Sequence, residues 1–319
     1  MSDQAVAQDG RHHGPVNWAA LFGRWGFEGG KVEYLEGAPW GVFEEEAVVG
    51  GLALSSLLIR NGTVSVKVAF SEILPSKHQG AGVVLGYVSA NEPYLFAQLG
   101  AGGFGYSLGE FTPRSGWRPL LVAGSKSNLQ QDTNYELKVT VRGAKIWLRV
   151  DGVQIFEYVH KGPVSGQIGL IAAGGAKVRF VEFTPHLERP RVFVAMQFAE
   201  PFDTIYREVI KPEAELLQFQ VVRIDELARP GIIFEDIKRE IAESNVVIAE
   251  ITAPNQNVFY ELGYAHALNK PTILLAQRGK ELPFDIRSYR VIFYDDSIGG
   301  KPEVERHLHN HLQAVLQEA

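Results

Sequence analysis

The chain of 319 residues contains no cysteine and only two methionines. The absence of cysteine excludes disulfide bonds, a zinc site with thiolate ligands and a cysteine nucleophile. No stretch approaches the roughly 18 apolar residues that a membrane-spanning helix needs, and no basic start followed by an apolar run indicates a signal peptide. We therefore expect a soluble, cytoplasmic protein with no membrane partner.

The sequence also lacks a basic region of the kind that nucleic acid requires. The net charge is −6, and it falls in residues 191–319, because residues 1–190 carry equal numbers of basic and acidic residues. A nucleic-acid partner is therefore not expected. His12 and His13 lie in residues 1–15, a polar segment without periodicity that predicts a flexible tail, so no metal site is expected.

Residues 16–187 show the period of two that is typical of β-strands. Apolar and polar residues alternate along residues 64–70 and 135–141, as in half-buried antiparallel strands. Asp151 and Gly152 separate two such runs and form the pair that a type I′ hairpin turn favours. The pattern predicts an all-β sandwich over residues 16–187.

Residues 145–152, 166–171 and 178–183 resemble the closing strands of concanavalin A-like jelly rolls of the laminin G and glucanase type. The resemblance implies a jelly roll that binds a sugar or another small molecule and acts as a sensing or regulatory domain. The strands lack the alternating acidic pair of the glucanases, so glycosidase activity is not expected. Trp117, Tyr94 and Phe104 are candidates for an exposed aromatic platform, with packing in the core as the alternative.

Beyond a short charged linker at residues 186–190, the hydrophobic period changes and strands alternate with helices. The predicted strands are residues 192–198, 219–224, 246–251, 271–276 and 290–294. The predicted helices are residues 202–217, with an interruption or restart at Pro212, 232–244, the helix that follows Pro254, and 302–317. This alternation predicts an α/β domain over residues 191–319, with a parallel five-stranded sheet in a flavodoxin-like or TIR-like order.

Glu261 is the most informative residue of this second half. It is a lone carboxylate in the first turns of a helix that directly follows a buried strand, and parallel sheets bind ligands at the carboxyl ends of their strands. Hydrogen bonds from Asn255 or Asn257 would keep such a carboxylate ionised. The alternative is an acidic residue that only interacts favourably with the helix dipole.

Five runs in this half resemble, in the same order, the bacterial TIR-like nucleotide-binding family, which is related to nucleoside 2-deoxyribosyltransferases. These runs are residues 192–198, 201–206, 222–225, 257–263 and 282–285. The resemblance implies that Glu261 cleaves an N-glycosidic bond of a nucleoside or of NAD. Glu250 stands where this family usually has aspartate, which puts the role of that carboxylate in question.

Residues near the predicted strand ends are the remaining candidates for substrate binding. They are Gln197, Phe198, Arg223, Asp225, Gly231, Glu250, Thr252, Asn257, Tyr260, Phe284 and Asp285. Gly231 precedes a helix, where its backbone N–H could meet a phosphate, and the aromatic residues could stack on a base. Neither a Gly-x-Gly-x-x-Gly run nor a P-loop is present, so hydride transfer and NTP hydrolysis are not indicated.

The leading hypothesis is an enzyme that cleaves the N-glycosidic bond of NAD, with NAD as substrate rather than cofactor. Nicotinamide leaves as a neutral molecule without a general acid, and His266 is rotated well away from Glu261. The family resemblance implies a role in antiviral defence and activation by self-association, hence a homo-oligomer. Two alternatives stay open: a nucleoside or nucleotide N-glycosidase or deoxyribosyltransferase, and a non-catalytic nucleotide-binding or TIR assembly module with a carbohydrate-binding sandwich.

Overall fold

The computed structural model describes residues 16–43, 46–227, 233–286, 288–297 and 299–317. The described residues fall into two compact units. The first is built from the chain up to Glu188, and the second from Arg189 onward together with residues 142–145 and 159–163. Of the sequence predictions, the tail at residues 1–15 and Gly231 lie outside the described residues.

The first unit is made almost entirely of strands. These are β1 (Trp18–Phe22), β2 (Arg24–Glu28), β3 (Lys31–Glu36), β4 (Ala38–Phe43), β5 (Glu46–Ile59), β6 (Asn61–Phe70), β7 (Gly80–Tyr87), β8 (Tyr94–Gly100), β9 (Phe104–Thr112), β10 (Gly116–Ser125), β11 (Tyr135–Arg142), β12 (Lys145–Val150), β13 (Val153–Val159), β14 (Gly166–Ala173) and β15 (Val178–Glu188). Strand β15 extends through residues 186–188, so the predicted linker there is wrong at its start.

The strands form two sheets with a shared apolar core. One sheet has the order β1-β5-β14-β7-β8-β9-β10, with β4 paired to β5, and the other has the order β13-β12-β11-β6-β15-β3-β2. The alternating apolar residues of β6 and β11 are buried in that core, as their period of two predicts: Val64, Val66, Val68, Phe70, Leu137, Val139 and Val141. The predicted β-sandwich is confirmed at this level.

The hairpin between β12 and β13 has the turn that its sequence predicts. Asp151 and Gly152 have φ angles of 49° and 80°. Both are positive, as a type I′ turn requires. The Asp151 carboxylate also accepts a hydrogen bond of 2.8 Å from the Glu136 backbone N–H, which ties the turn to the neighbouring strand β11.

Aromatic rings cover much of the outer face of the eight-stranded sheet. Tyr94 stacks on Phe111 with ring centroids 5.0 Å apart, and Trp117 packs edge-on against Trp40 at 4.4 Å. Tyr94 is only 5% exposed, so it is packed, the alternative considered above, and does not belong to an exposed platform. This packing buries the Tyr94 ring because β8 is a central strand whose two faces are both covered.

The second unit alternates strands and helices. Its strands are β16 (Arg191–Ala195), β17 (Gln220–Val222), β18 (Val246–Glu250), β19 (Thr272–Gln277) and β20 (Val291–Tyr294). Its α-helices are α1 (Phe202–Ile205), α2 (Lys211–Leu216), α3 (Ile233–Glu243), α4 (Gln256–Ala267) and α5 (Lys301–Gln317). A π-helical turn, Tyr206–Ile210, joins α1 to α2, and Pro212 lies in the first turn of α2, near the predicted restart.

These strands form one parallel sheet in the order β17-β16-β18-β19-β20. Numbered within the unit, this is 2-1-3-4-5, the flavodoxin-like order. The predicted five-stranded parallel sheet is confirmed, although β16 ends at Ala195 rather than at Phe198. No helix among the described residues is both long and apolar enough to cross a membrane.

Alternate residues of the parallel strands face different helices. In β18, Val246 and Ile248 pack in a core with α1, α2 and α5, while Val247 and Ala249 pack in a second core with α3 and α4. Successive side chains of a strand point to opposite faces. Any functional residue at the strand ends is therefore assigned to one helix layer or the other.

A buried charge cluster connects α3 to the start of the first parallel strand. The Arg191 guanidinium donates to Glu240 at 2.5 Å and to Glu243 at 3.1 Å, and the Arg191 backbone N–H donates to Asn245 at 2.8 Å. Both carboxylates and the guanidinium are almost fully buried. Arg191 therefore compensates two negative charges that water hardly solvates, and the Arg239 guanidinium lies 3.5 Å from Glu240 as a second cation.

Arg191→Met tests how much the second unit depends on this cluster. Removing the Arg191 guanidinium takes away the cation that is hydrogen-bonded to both Glu240 and Glu243 and leaves Arg239 at 3.5 Å from Glu240, so we expect a loss of about 3–5 kcal/mol in the free energy of unfolding. The measurement is urea unfolding followed by helical circular dichroism, because the α-helices of the described residues all lie in the second unit. Arg207→Met, which breaks the exposed pair with Glu200, should cost about 0–1 kcal/mol. Equal losses in the two variants would contradict the assignment.

Candidate functional site

Helix α4 begins directly after β18 and carries Glu261 at the carboxyl edge of the sheet. The Asn255 side chain caps the helix by accepting a hydrogen bond of 2.9 Å from the Asn257 backbone N–H. Val258, Leu262 and Ala265 are buried against the strands, as the helical spacing predicts. The same helix packs on β18, β16 and β19 and on helix α3.

The carboxyl group of Glu261 is buried without a partner. The residue is 5% exposed, and its carboxyl group makes no hydrogen bond or ion pair with any described residue. Burial alone raises the pKa of Glu261 to about 7, because a low-dielectric surrounding disfavours the charged form. At neutral pH this carboxyl is therefore divided between its two protonation states.

The expectation that Asn255 or Asn257 keeps Glu261 ionised is wrong. The Asn255 side chain is used by the helix cap, and Asn257 is exposed. Glu261 is the sixth residue of α4, beyond the first turn in which the helix dipole favours a carboxylate. Desolvation is thus not offset by any of the interactions that sequence spacing indicated.

An exposed pair of aromatic rings lies between α3 and α4, and one of the two, Tyr260, directly precedes Glu261 in the sequence. Tyr260 and Phe234 are 45% and 44% exposed, and their ring centroids are 5.1 Å apart. The Lys238 ammonium lies 4.8 Å from the centroid of Phe234. Phe234 is not among the residues that the sequence analysis identifies. The signal that could have found it is an aromatic residue in the first turn of an amphipathic helix.

Arg223 and Asp225 pair with each other rather than standing free for a ligand. The Arg223 guanidinium forms two hydrogen bonds to Asp225, of 2.7 and 2.6 Å, and one of 2.7 Å to Asp203 of α1. It also lies 4.1 Å from the ring centroid of Tyr206. Arg223 is 8% exposed, and two carboxylates already balance its charge. This arrangement fits a structural contact that connects the end of β17 to α1 better than it fits a phosphate-binding role.

Glu250 is enclosed at the end of β18. It is 2% exposed, and its Oε1 accepts a hydrogen bond of 3.0 Å from the Tyr294 hydroxyl and another from the Thr252 hydroxyl. Its Oε2 is buried without a partner, and burial raises the pKa of Glu250. The Thr252 hydroxyl in turn accepts from the Gln277 backbone N–H at 2.7 Å. Glu250 and the half-buried Thr252 therefore contact β20 and β19, and the Glu250 carboxyl does not face solvent.

The two carboxyl groups belong to different helix layers. Glu250 and Ile248 share a face of β18, and Tyr294, its partner, packs in the core with α1 and α5. Glu261 lies on α4, which packs in the other core. The structure therefore separates two residues that the sequence assigned to one site.

A cleft of about 480 Å³ lies at the carboxyl ends of β19 and β20, in the α1 and α5 layer. Gln277, Tyr294, Asp295, Asp296 and Lys301 are among its lining residues. None of the sequence-predicted site residues lines it. Sequence reasoning missed this cleft because it arises where strand ends and helix starts far apart in the chain come together.

The remaining predicted site residues lie at or near the surface, or outside the residues that the structure describes. Gln197 is half-buried, Phe198 is 46% exposed beside Arg223, and Phe284 is 84% exposed. The side chain of Asp285 and all of Gly231 lie outside the described residues. Within the described part of the chain, no group of three or more His, Asp or Glu side chains is arranged to hold a metal ion.

No family model and no curated protein matches the chain. Among solved structures it is similar to the carbohydrate binding module CBM66 from Bacillus subtilis, with 13% identity, 53% of this chain and 94% of that chain covered, and a TM-score of 0.41. It is also similar to the TIR domain of the Toll-related receptor TRR-2 from Hydra magnipapillata, with 17% identity, 38% and 97% covered, and a TM-score of 0.33. At these identities and TM-scores the likenesses carry no argument about fold or activity.

Glu261→Gln should stabilise the second unit at high pH. The pKa of Glu261 in the folded protein, about 7, is above the ordinary value of 4.5. The stability that goes with the protonated carboxyl is therefore fully present below pH 4.5 and is lost as pH rises through 7. At pH 8.5 the wild type carries the cost of an ionised buried carboxyl and the glutamine variant does not. We expect a gain of up to about 3 kcal/mol for the variant at pH 8.5 that shrinks towards pH 5.

Urea unfolding at a series of pH values, followed by helical circular dichroism, checks this expectation. Glu215→Gln, at an exposed position of α2, is the matched control and should change little at any pH. A stability difference between wild type and Glu261→Gln that does not depend on pH would contradict the raised pKa.

Proposed function

We propose that the second unit hydrolyses the N-glycosidic bond of NAD, with Glu261 as the catalytic residue. The observation that carries the proposal is the buried carboxyl of Glu261, which has no partner of opposite charge among the described residues. A buried carboxylate without a counter-ion is costly in the free protein. It becomes favourable when a substrate brings a positive charge to it, and most favourable when that charge grows in the transition state.

NAD fits this requirement better than a neutral nucleoside does. Its nicotinamide ring is cationic, and its departure moves the positive charge to the ribosyl carbon that was bonded to the ring nitrogen. The C–N bond breaks with its electron pair going to nicotinamide, which leaves neutral, and water adds to the ribosyl carbon and loses a proton. The ionised form of Glu261 would stabilise the ribosyl cation between these events.

Tyr260 and Phe234 support the same proposal from the substrate side. Both rings are exposed, they lie on the α3 and α4 layer that also carries Glu261, and aromatic faces stack on bases. The family resemblance of residues 191–296 adds the expectation of a TIR-like enzyme that acts in bacterial antiviral defence as a homo-oligomer. The first unit would then be its regulatory domain.

A nucleoside or nucleotide N-glycosidase is the second candidate, and the pKa of Glu261 favours it specifically. A carboxyl with a pKa of about 7 is substantially protonated at neutral pH, so it can donate a proton to a leaving base that cannot depart as an anion. This mechanism uses the neutral form of Glu261, whereas NAD cleavage uses the charged form. The two candidates therefore differ in their dependence on pH.

Incubation of the full-length protein with NAD, with release of nicotinamide followed by chromatography, tests the proposal. Glu261→Gln keeps the size of the side chain and removes its charge, and we expect turnover to fall by at least about a hundredfold, or roughly 3 kcal/mol in transition-state stabilisation. Glu215→Gln should retain full turnover. Unchanged turnover in Glu261→Gln would eliminate Glu261 as the catalytic residue.

The pH profile distinguishes the two candidate reactions. If the carboxylate is the active form, kcat/KM for NAD should rise about tenfold per pH unit up to the pKa near 7 and then level off. If the protonated form donates to a leaving base, kcat/KM for a nucleoside such as adenosine should instead fall above pH 7. If the protein cleaves neither NAD nor a nucleoside at any pH, the result would favour the non-catalytic binding module.

We further propose that self-association activates the enzyme. Tyr260 and Phe234, in the same helix layer as Glu261, are open to solvent, so a neighbouring copy could help to enclose a substrate there. Turnover per protein molecule, measured over a dilution series of the full-length protein together with mass from light scattering, should rise with the oligomeric fraction. Turnover per molecule that is constant while the mass changes would contradict activation by assembly.

A further inference from the structure

A polar pair lies in the apolar outer face of the eight-stranded sheet. Gln98 of β8 and Ser107 of β9 are direct cross-strand partners, and they are 5% and 4% exposed. The Gln98 side-chain amide makes no hydrogen bond with any described residue. The Ser107 hydroxyl has only a long contact of 3.5 Å with the Gly100 carbonyl. Buried amides are normally hydrogen-bonded, so this pair is unusual.

Both side chains line a cleft of about 110 Å³. Aromatic rings border the cleft: Trp117 packs edge-on against Phe96 with centroids 4.5 Å apart, and Phe104 is 39% exposed at the rim. Packing of Phe96 and Trp117 against each other holds these rings in place. The cleft therefore has fixed aromatic borders and a polar floor.

Small residues lie in the strands beside Gln98. Gly82 lies opposite Gln98 on the other side of β8, and a Cβ there would come within 2.7 Å of the Gln98 Cβ. The next row across the sheet is Ala173, Gly80 and Gly100, which are cross-strand partners in turn. Of these residues Ala173 lines the cleft, and its short side chain leaves the space beside the Gln98 amide open.

We propose that this cleft binds a small flat ring with a hydrogen-bond donor and an acceptor on adjacent atoms, as in a cyclic amide or a heterocyclic base. A primary amide offers one acceptor and two donors, so Gln98 can pair with both atoms of such an edge, and Ser107 adds a third polar group. The aromatic borders suit the faces or edges of the ring. The volume admits one small ring.

The chemistry of the cleft does not suit a sugar. A sugar ring carries hydroxyl groups around its whole edge, and each needs a partner when it is buried. The described lining offers polar side-chain groups only from Gln98, Ser107, His78 and the indole N–H of Trp117, with the other lining residues apolar or glycine. This inference is independent of the proposed NAD cleavage, which concerns the second unit.

The test uses the full-length protein and three probes in ligand-observed NMR titrations. 2-Pyridone has the donor–acceptor edge, N-methyl-2-pyridone has the same ring without the donor, and lactose represents a sugar. We expect 2-pyridone to bind with about millimolar affinity, as its few atoms allow, and at least about tenfold more tightly than N-methyl-2-pyridone. The side-chain amide signal of Gln98 in the protein spectrum should shift on binding of 2-pyridone.

Variants of the cleft complete the test. Gln98→Met keeps the length of the side chain without its polar atoms and should remove the preference for 2-pyridone, while Ala173→Leu should fill the cleft and abolish binding of both rings. Gln131→Met, at an exposed position of the same unit, is the control and should bind 2-pyridone as the wild type does. Circular dichroism checks that each variant is folded.

The proposal fails if 2-pyridone and N-methyl-2-pyridone bind the wild type equally, or if neither binds. It also fails if lactose is the probe that shifts the Gln98 signal, because the cleft would then be a sugar site. These comparisons use the wild type alone, so the result stands even if Gln98→Met does not fold.

Discussion

The cost of burying a carboxyl group without a partner is the constraint on which the candidate site depends. Glu261 is enclosed by the packing of α4 on the sheet, and no described residue donates a hydrogen bond to it. Partial protonation at neutral pH, with a pKa of about 7, reduces the cost of burying this carboxyl group. A group in this state responds strongly to any positive charge that approaches it, which is the property that a site for cationic chemistry requires.

Two clusters of buried charges in the second unit follow the opposite principle. Arg191 compensates Glu240 and Glu243, and Arg223 is balanced by Asp203 and Asp225. These clusters connect α3 to β16 and α1 to β17, so they hold the helix layers on the sheet. Glu261 differs from them because nothing in the described structure neutralises it.

The period of two along the strands decides which residues can act together. Glu250 ends β18 on the side of α1 and α5 and is closed off by Thr252 and Tyr294. Glu261 enters from α4 on the other side, where Tyr260 and Phe234 are exposed. The same alternation in the first unit places Gln98 and Ser107 on the outer face of the sandwich, away from the core between the sheets.

The sequence by itself determined the two kinds of sheet, because periods of 2 and 3.6 are local properties that burial converts directly into antiparallel strands or into strands alternating with helices. It also determined the Asp151–Gly152 turn, the buried face of α4 and the position of Glu261 after a buried strand. Only the tertiary structure decided that Arg223 is already paired with Asp203, that Glu261 is buried without a partner, and that Gln98 has no partner. Those outcomes depend on distances between residues far apart in the chain, and hydrogen-bond partners and desolvation are set by such distances rather than by spacing along the sequence.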